Sequence, residues 1–204
     1  MTAIRKSGMN KHKFSYNDDR HEYQIDGRVV PGVTQILSAV FPYRYSVEPW
    51  YLGRGKANHA CYAMLARGEV VDCDPACTPY VQAWRAWRIK ERIEDFTNVE
   101  LPVYSHRYQY GGTLDATCMV PDPWTATILD YKGSITPRAK WQLAAYAIAY
   151  EETTGKKSPR FGAAVELRED GRYKVECFDL KDARREWLNI RSVYALKQRD
   201  WLLD

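Results

Sequence analysis

Nowhere in these 204 residues do apolar side chains run for the ~20 positions a membrane-spanning helix needs, so no contact with a membrane is expected. The chain also lacks any Gly-x-x-x-x-Gly-Lys-Ser/Thr, the loop that cradles nucleotide phosphates, so it cannot itself drive unwinding by ATP hydrolysis. Internal repeats, low-complexity tracts and linker-like stretches are missing too. One domain over 13–204 is therefore expected, behind a loose, polar and basic tail at 1–12. That tail has no apolar segment of the secretory kind. Cysteine is sparse, odd in number and scattered, at 61, 73, 77, 118 and 177. With no export signal, this implies reduced thiols and a cytoplasmic location. Cys73 and Cys77 are close enough to suggest a metal, but no second cysteine pair or nearby histidine completes a tetrahedral set. Neither sign of charge dominates. The net +4 permits an acidic partner such as nucleic acid without requiring one.

Aromatic residues are abundant, with fifteen Tyr and seven Trp. Core packing accounts for most of them, and a few exposed rings would be available to stack on bases. The pattern along the chain alternates. Residues 13–30 read as a hairpin, with Phe14–Tyr16 leading out, a turn at Asn17-Asp18-Asp19, and His21–Ile25 returning; Asp26-Gly27 is a second turn signal. Pro31-Gly32 opens a helix over Val33–Val40, and residues 41–49 form a loop. A helix follows from about Trp50 to Ala66, stopped by Gly68. Thr78-Pro79 reads as an N-cap and first turn, starting a helix that turns Tyr80, Val81, Trp84, Trp87 and Ile93 inward. Strands are expected at about 99–106, 108–120 and 126–132. A helix from 138 to about 153 ends near Gly155, and a hairpin pairs Phe161–Leu167 with Tyr173–Phe178. A last helix covers about 181–202, with Ala183, Trp187, Ile190, Tyr194 and Trp201 on its apolar face. This order predicts an α/β or α+β domain, a central mixed sheet with helices on both faces.

The chemistry concentrates in three short stretches. Asp130 and Lys132 are two apart on a strand and so share a face, where a carboxylate and an ammonium together can hold a metal and grip a phosphate. Asp130 also closes the apolar run Thr127-Ile128-Leu129, and a charge there is costly unless paired, hydrogen-bonded or metal-bound. Asp115 follows Gly111-Gly112, where the backbone can turn sharply or approach a ligand closely. Two carboxylates converging near a lysine suit Mg²⁺ and its oxygen ligands. Gln142 and Tyr146 stand one turn apart on an alanine-rich helix and share a face. His59 and Glu100 are further candidate ligands. Each residue alone has a plain alternative: a surface ion pair for Asp130 and Lys132, a polar helix position for Gln142, a core position for Tyr146, a satisfied helix histidine for His59, a solvated strand end for Glu100.

Taken in order, His59, Glu100, Gly112-x-x-Asp115, Asp130-x-Lys132 and Gln142-x-x-x-Tyr146 resemble the motifs of the PD-(D/E)XK nuclease superfamily, with its restriction-endonuclease-like core. Within it the pattern is similar to RecB-like exonucleases, including the CRISPR-associated and mitochondrial genome maintenance types. His21-x-Tyr23-x-Ile25-x-Gly27 followed by Val30-Pro31-Gly32-Val33-Thr34-Gln35-Ile36-Leu37 looks like their opening segment, with Gly32 where Ser is commoner. The resemblance spans roughly residues 20–150. It implies metal ligation by His59, Asp115 and Asp130, less securely by Glu100, with Mg²⁺ or Mn²⁺ as the ion. Lys132 would position the attacking water and steady the phosphate, while Gln142 and Tyr146 would shape the site and touch the DNA backbone. Residue 129 is Leu at the position before the second acid, and that acid is Asp rather than Glu. The cysteine triplet of cluster-bearing relatives is absent, so no iron–sulfur cluster is implied. Arg54, Lys56, Arg138 and Lys140 flank the site in sequence and are candidate DNA contacts, or else a solvated basic face. The expected activity is DNA exonuclease in recombination, repair or phage DNA processing, beside an annealing protein or helicase. A non-catalytic DNA-end-binding module ranks second and an endonuclease third.

Overall fold

A computed structural model describes residues 12–18, 20–42, 48–121 and 124–200. It opens with a three-stranded antiparallel meander, β1 (Phe14–Asn17), β2 (Glu22–Ile25) and β3 (Arg28–Val30). The sequence showed β1 and β2 but not β3. Asp26 and Gly27 both have positive φ, 50° and 80°, the geometry of a tight hairpin turn, so the second turn signal had a return strand of its own. Helix α1 (Val33–Val40) starts at Gly32, whose N–H donates to Gln35 Oε1 at 2.8 Å. That is half of a capping box; a serine at 32 would supply the other half.

Helices α2 (Pro49–Ala66) and α3 (Thr78–Lys90) follow. The N-cap of α3 is Cys77, one residue earlier than Thr78. The Asp74 carboxylate accepts from the Ala76 N–H and the Asp74 carbonyl from the Cys77 N–H, so an aspartate turn launches the helix before Thr78 is reached. Cys61 of α2 packs with Cys73 and Cys77, a grouping invisible in sequence, and all five cysteines are free thiols.

The central sheet has the order β10-β9-β8-β7-β4, formed by β4 (Phe96–Thr97), β7 (Ala116–Pro121), β8 (Trp124–Lys132), β9 (Phe161–Leu167) and β10 (Tyr173–Asp179). Every pairing is antiparallel except β8 with β9, which run parallel through the crossover helix α4 (Arg138–Thr154). A separate pair, β5 (Leu101–Ser105) and β6 (Tyr110–Leu114), lies beside it. The strand expected over 108–120 is thus two strands, β6 and β7, interrupted at Asp115, and they belong to different sheets. Helix α5 (Leu180–Asp200) closes the fold, with Leu180, Ala183, Trp187 and Ile190 buried; Trp201 lies outside the described residues, as do residues 1–11 of the expected tail.

Alternation along β8 builds two cores. Ile128 faces α1, α4 and α5, with Leu143, Ala144 and Trp187 around it. Leu129 and Tyr131 face α2 and α3, against Tyr62, Trp84 and Trp87. Five fully buried alanines, 139, 144, 145, 147 and 149, let α4 lie close on the sheet, and Gly155 at φ 69° ends it. This is a mixed α/β fold, a central mixed sheet with helices on both faces. Among the described residues no helix is long and apolar enough to cross a membrane.

Candidate active site

The parallel β8–α4–β9 unit sets the address. Asp130 and Lys132 lie at the carboxyl end of β8 and share the α4 side of the sheet with Ile128. The carboxyl ends of strands are where α/β sheets commonly bind ligands. Asp130 is 2% exposed, so it is no surface residue. Lys132 Nζ donates to Asp130 Oδ1 at 2.9 Å and to Gln142 Oε1 at 3.0 Å. Gln142 Nε2 in turn donates to Asp130 Oδ1 at 3.1 Å and to the Tyr146 hydroxyl at 2.8 Å. These four side chains form one closed network with α4 as its rigid wall. Lys132 Nζ also lies 2.8 Å from Asp130 Oδ2, so the ammonium sits against both carboxylate oxygens. A carboxylate this buried is costly unless paired, and the ammonium supplies that pairing.

Asp115 arrives from the neighbouring strand. Ala116 pairs with Leu129, so one step further along the register Asp115 stands across from Asp130. The ladder stops there because the Asp115 side chain replaces it: Oδ2 accepts from the Tyr131 N–H at 2.6 Å. Oδ1 faces His59 Nδ1 at 3.2 Å, from the buried half of α2. The Asp115 carbonyl accepts from the Glu100 N–H at 2.8 Å, and Glu100 holds φ at 50°, a strained conformation for a residue with a side chain. His59, Glu100 and Asp115 each offer a ligand atom within 4.8 Å of the others.

The electrostatics follow from burial and crowding. Burial, then the Asp115 charge, lifts Glu100 to about 7. Burial opposes charge on His59, but the Asp115 carboxylate outweighs it by charge and hydrogen bond and lifts the imidazolium to about 9. Asp115 is itself held below the usual carboxylate range: burial pushes it up, and His59, Lys132 and the Tyr131 N–H more than offset that. Asp130 goes the other way, pushed up by burial and by Asp115 against the pull of Lys132. Three carboxyl groups and two cations therefore share one partly closed space.

Two glycines make the space possible. A Cβ on Gly112 would lie 2.6 Å from Tyr146 Cε1, and one on Gly111 would lie 2.5 Å from Tyr23 Cγ. Tyr23 reaches Thr113 Oγ1 at 3.2 Å and His21 Nε2 at 3.4 Å, which ties the β1–β2 turn to β6. Sequence reasoning missed this support. It also missed Glu166, which stands beside Lys132 in the β8–β9 register and accepts from the Ile135 N–H at 3.1 Å, anchoring the connection to α4. Glu166 sits in an apolar strand, and a charge there was the available signal.

The expected DNA contacts divide. Arg54 is enclosed by the rings of Trp50, Tyr51 and Tyr80 and lies 3.6 Å from Glu169. Lys56 is exposed on the same helix; burial lowers the pKa of His21, and the Lys56 charge adds a smaller push the same way against Asp18. Arg138 donates to the Pro42 carbonyl, and Lys140 pairs with Glu186 of α5 at 2.6 Å. Those contacts tie the start of α4 to the segment after α1 and to α5. The first turns of α2 overhang the body of the protein, leaving Trp50, Tyr51 and Leu52 more than half exposed.

No family model and no curated protein matches the chain. Among solved structures it is similar to an alkaline exonuclease from Laribacter hongkongensis, with a TM-score of 0.43 and 14% identity over 86% of this chain and 95% of that one. A likeness of that degree carries no weight for function beside the residues themselves.

A divalent cation fits the donor set. The convergent group is two carboxylates, Glu100 and Asp115, and one imidazole, His59, with Asp130 next to Asp115 on the neighbouring strand but held by Lys132. Hard, oxygen-preferring ions such as Mg²⁺ or Mn²⁺ suit such a site better than thiophilic ones.

Proposed function

We propose that this protein is a Mg²⁺- or Mn²⁺-dependent DNA exonuclease. The observation that carries the reading is the convergence of His59, Glu100 and Asp115 on one point, beside the Asp130–Lys132–Gln142–Tyr146 network. His59, Glu100, Asp115 and Asp130 would hold the metal, which supplies charge to polarise a scissile phosphate and to acidify a water. Lys132 presents its ammonium to the phosphate and the attacking water, oriented by Asp130 and Gln142. Gln142 fixes the carboxylate of Asp130, and Tyr146 fixes Gln142, so the acceptor geometry is set before substrate arrives. His59 must release its extra proton to solvent before it can ligate, because Asp115 has to stay ionised to ligate beside it.

The overhanging rings of Trp50 and Tyr51, with Arg54 against them and Lys56 nearby, suit a stacked single strand and its phosphates. A surface that stacks bases without reading their edges favours digestion from an end over cutting at a defined sequence. Such an activity belongs in recombination, repair or phage DNA processing, within the cell and beside an annealing protein or helicase. Digestion of linear and covalently closed DNA, single- and double-stranded, with Mg²⁺ or Mn²⁺ and with chelator, tests the reading. Linear DNA should shorten only with metal, more slowly at high salt. Lys132→Ala should bind metal yet lose at least about a hundredfold in rate. Binding of ends without hydrolysis would make this a DNA-end-binding module, and discrete cuts in closed circles would make it an endonuclease.

A further inference from the structure

A second cluster of metal-ligating side chains lies outside this site. His12, just before β1, Asp26, in the β2–β3 turn, and His106, in the β5–β6 turn, each offer a ligand atom within 4.8 Å of the others. Three separate segments of chain thus present two imidazoles and a carboxylate at one place. The carboxylate is already oriented: Oδ1 accepts from the Lys13 N–H at 2.8 Å and Oδ2 lies 2.8 Å from His12 Nδ1. The two imidazole rings are stacked, with centroids 3.3 Å apart and planes 12° from parallel. Face-to-face stacking of aromatic rings is electrostatically unfavourable on its own. Ring-nitrogen lone pairs lie in the ring planes, so one of these part-exposed rings turns out of the stack for both to reach one ion beside the Asp26 carboxylate.

We infer that His12, His106 and Asp26 form a binding site for a zinc-class divalent cation. Two nitrogens and one oxygen suit Zn²⁺ or Co²⁺, with water completing the tetrahedron, and this donor set is softer than the oxygen-rich set around Asp115. The ion would clamp the start of β1 and the β2–β3 turn to the β5–β6 turn. The bond would hold the β1–β3 meander to the β5–β6 pair at the end where no glycine packing does so. Binding replaces the hydrogen bond between His12 Nδ1 and Asp26 Oδ2.

Co²⁺ and Zn²⁺ are the probes, added to the full chain in the presence of excess Mg²⁺. Co²⁺ should produce visible absorption of tetrahedral intensity at one equivalent, and Zn²⁺ should quench it and raise the unfolding temperature. His12→Ala and His106→Ala should each weaken binding by more than the ~10–100-fold that loss of an outer-shell partner costs. Asp115→Asn should retain the signal. His12 is a third exposed and precedes the first strand, so its replacement leaves the core intact even if His106→Ala does not fold. Absence of a cobalt spectrum, its persistence in His12→Ala, or its loss in Asp115→Asn would each overturn the assignment.

Discussion

Glu100→Gln isolates one charge in the candidate metal site. Glu100 ionises near 7 when folded against an ordinary 4.5. A carboxyl whose folded pKa is raised contributes its full stability below pH 4.5. It loses that stability as pH climbs toward 7, because the unfolded chain gives up the proton first. At ~1.4 kcal/mol per pH unit, the interval sets a ceiling of ~3 kcal/mol, and partial solvent screening lowers it to about 2. Gln keeps the shape and removes the charge. Urea unfolding of the metal-free proteins, with chelator present, should find the variant more stable than the parent by about 2 kcal/mol at pH 8. The gap should shrink to about a quarter of that at pH 5. Other titrating groups are common to both proteins and cancel in the difference, apart from coupling through Asp115. Adding Mn²⁺ should reverse the order, since the parent gains a ligand's worth of binding and the variant does not. A variant no more stable than the parent at pH 8 would refute the claim that Glu100 sits crowded against Asp115.

Three other outcomes are expected. Metal affinity, measured by calorimetry, should rise from pH 6 to pH 9 with net proton release, as Glu100 near 7 and His59 near 9 surrender their protons; a flat profile would remove His59 from the ligand set. Gly112→Ala should lower stability by about 1–3 kcal/mol in urea, because its Cβ would press on the Tyr146 ring at 2.6 Å, and wild-type stability would show that α4 yields freely. Trp50→Ala should weaken binding of single-stranded DNA by about 1–3 kcal/mol in an anisotropy titration while leaving stability unchanged, since the ring is 59% exposed; unaltered affinity would take the overhang out of the DNA path.

The sequence carried most of the helices and the central strands because their signals are local: the apolar spacing of α1 and α5, the glycine after α4, the alternation in β8 and β9. It missed β3 because three residues following a turn carry no period. It joined β6 to β7 because Asp115 is the one break in the strand-like run Thr113 to Val120, and its side chain, competing for the Tyr131 N–H, ends the ladder. Within the site, Asp130, Lys132, Gln142 and Tyr146 were legible from spacing on one strand and one helix. Whether Glu100 joined them was not, since its place depends on a backbone bond to Asp115 across two sheets. Arg138 and Lys140 lie within four residues of Gln142, and no local pattern showed that they reach Pro42 and Glu186. Glu166 and Tyr23 support the site from strands whose pairing partners no local pattern reveals.

The interruption at Asp115 also gives the protein a built-in reporter. In an ordinary ladder the Tyr131 amide would be protected by a neighbouring carbonyl and would exchange only when the strands part. Here its hydrogen is guarded by a carboxylate that is itself a candidate ligand. Hydrogen exchange at this single amide is therefore tied to the state of Asp115, while the Ile128 and Leu129 amides a few residues back report on the sheet. A change at Tyr131 alone on adding a divalent ion would read occupancy of the site directly, in the resting protein, before any substrate is present.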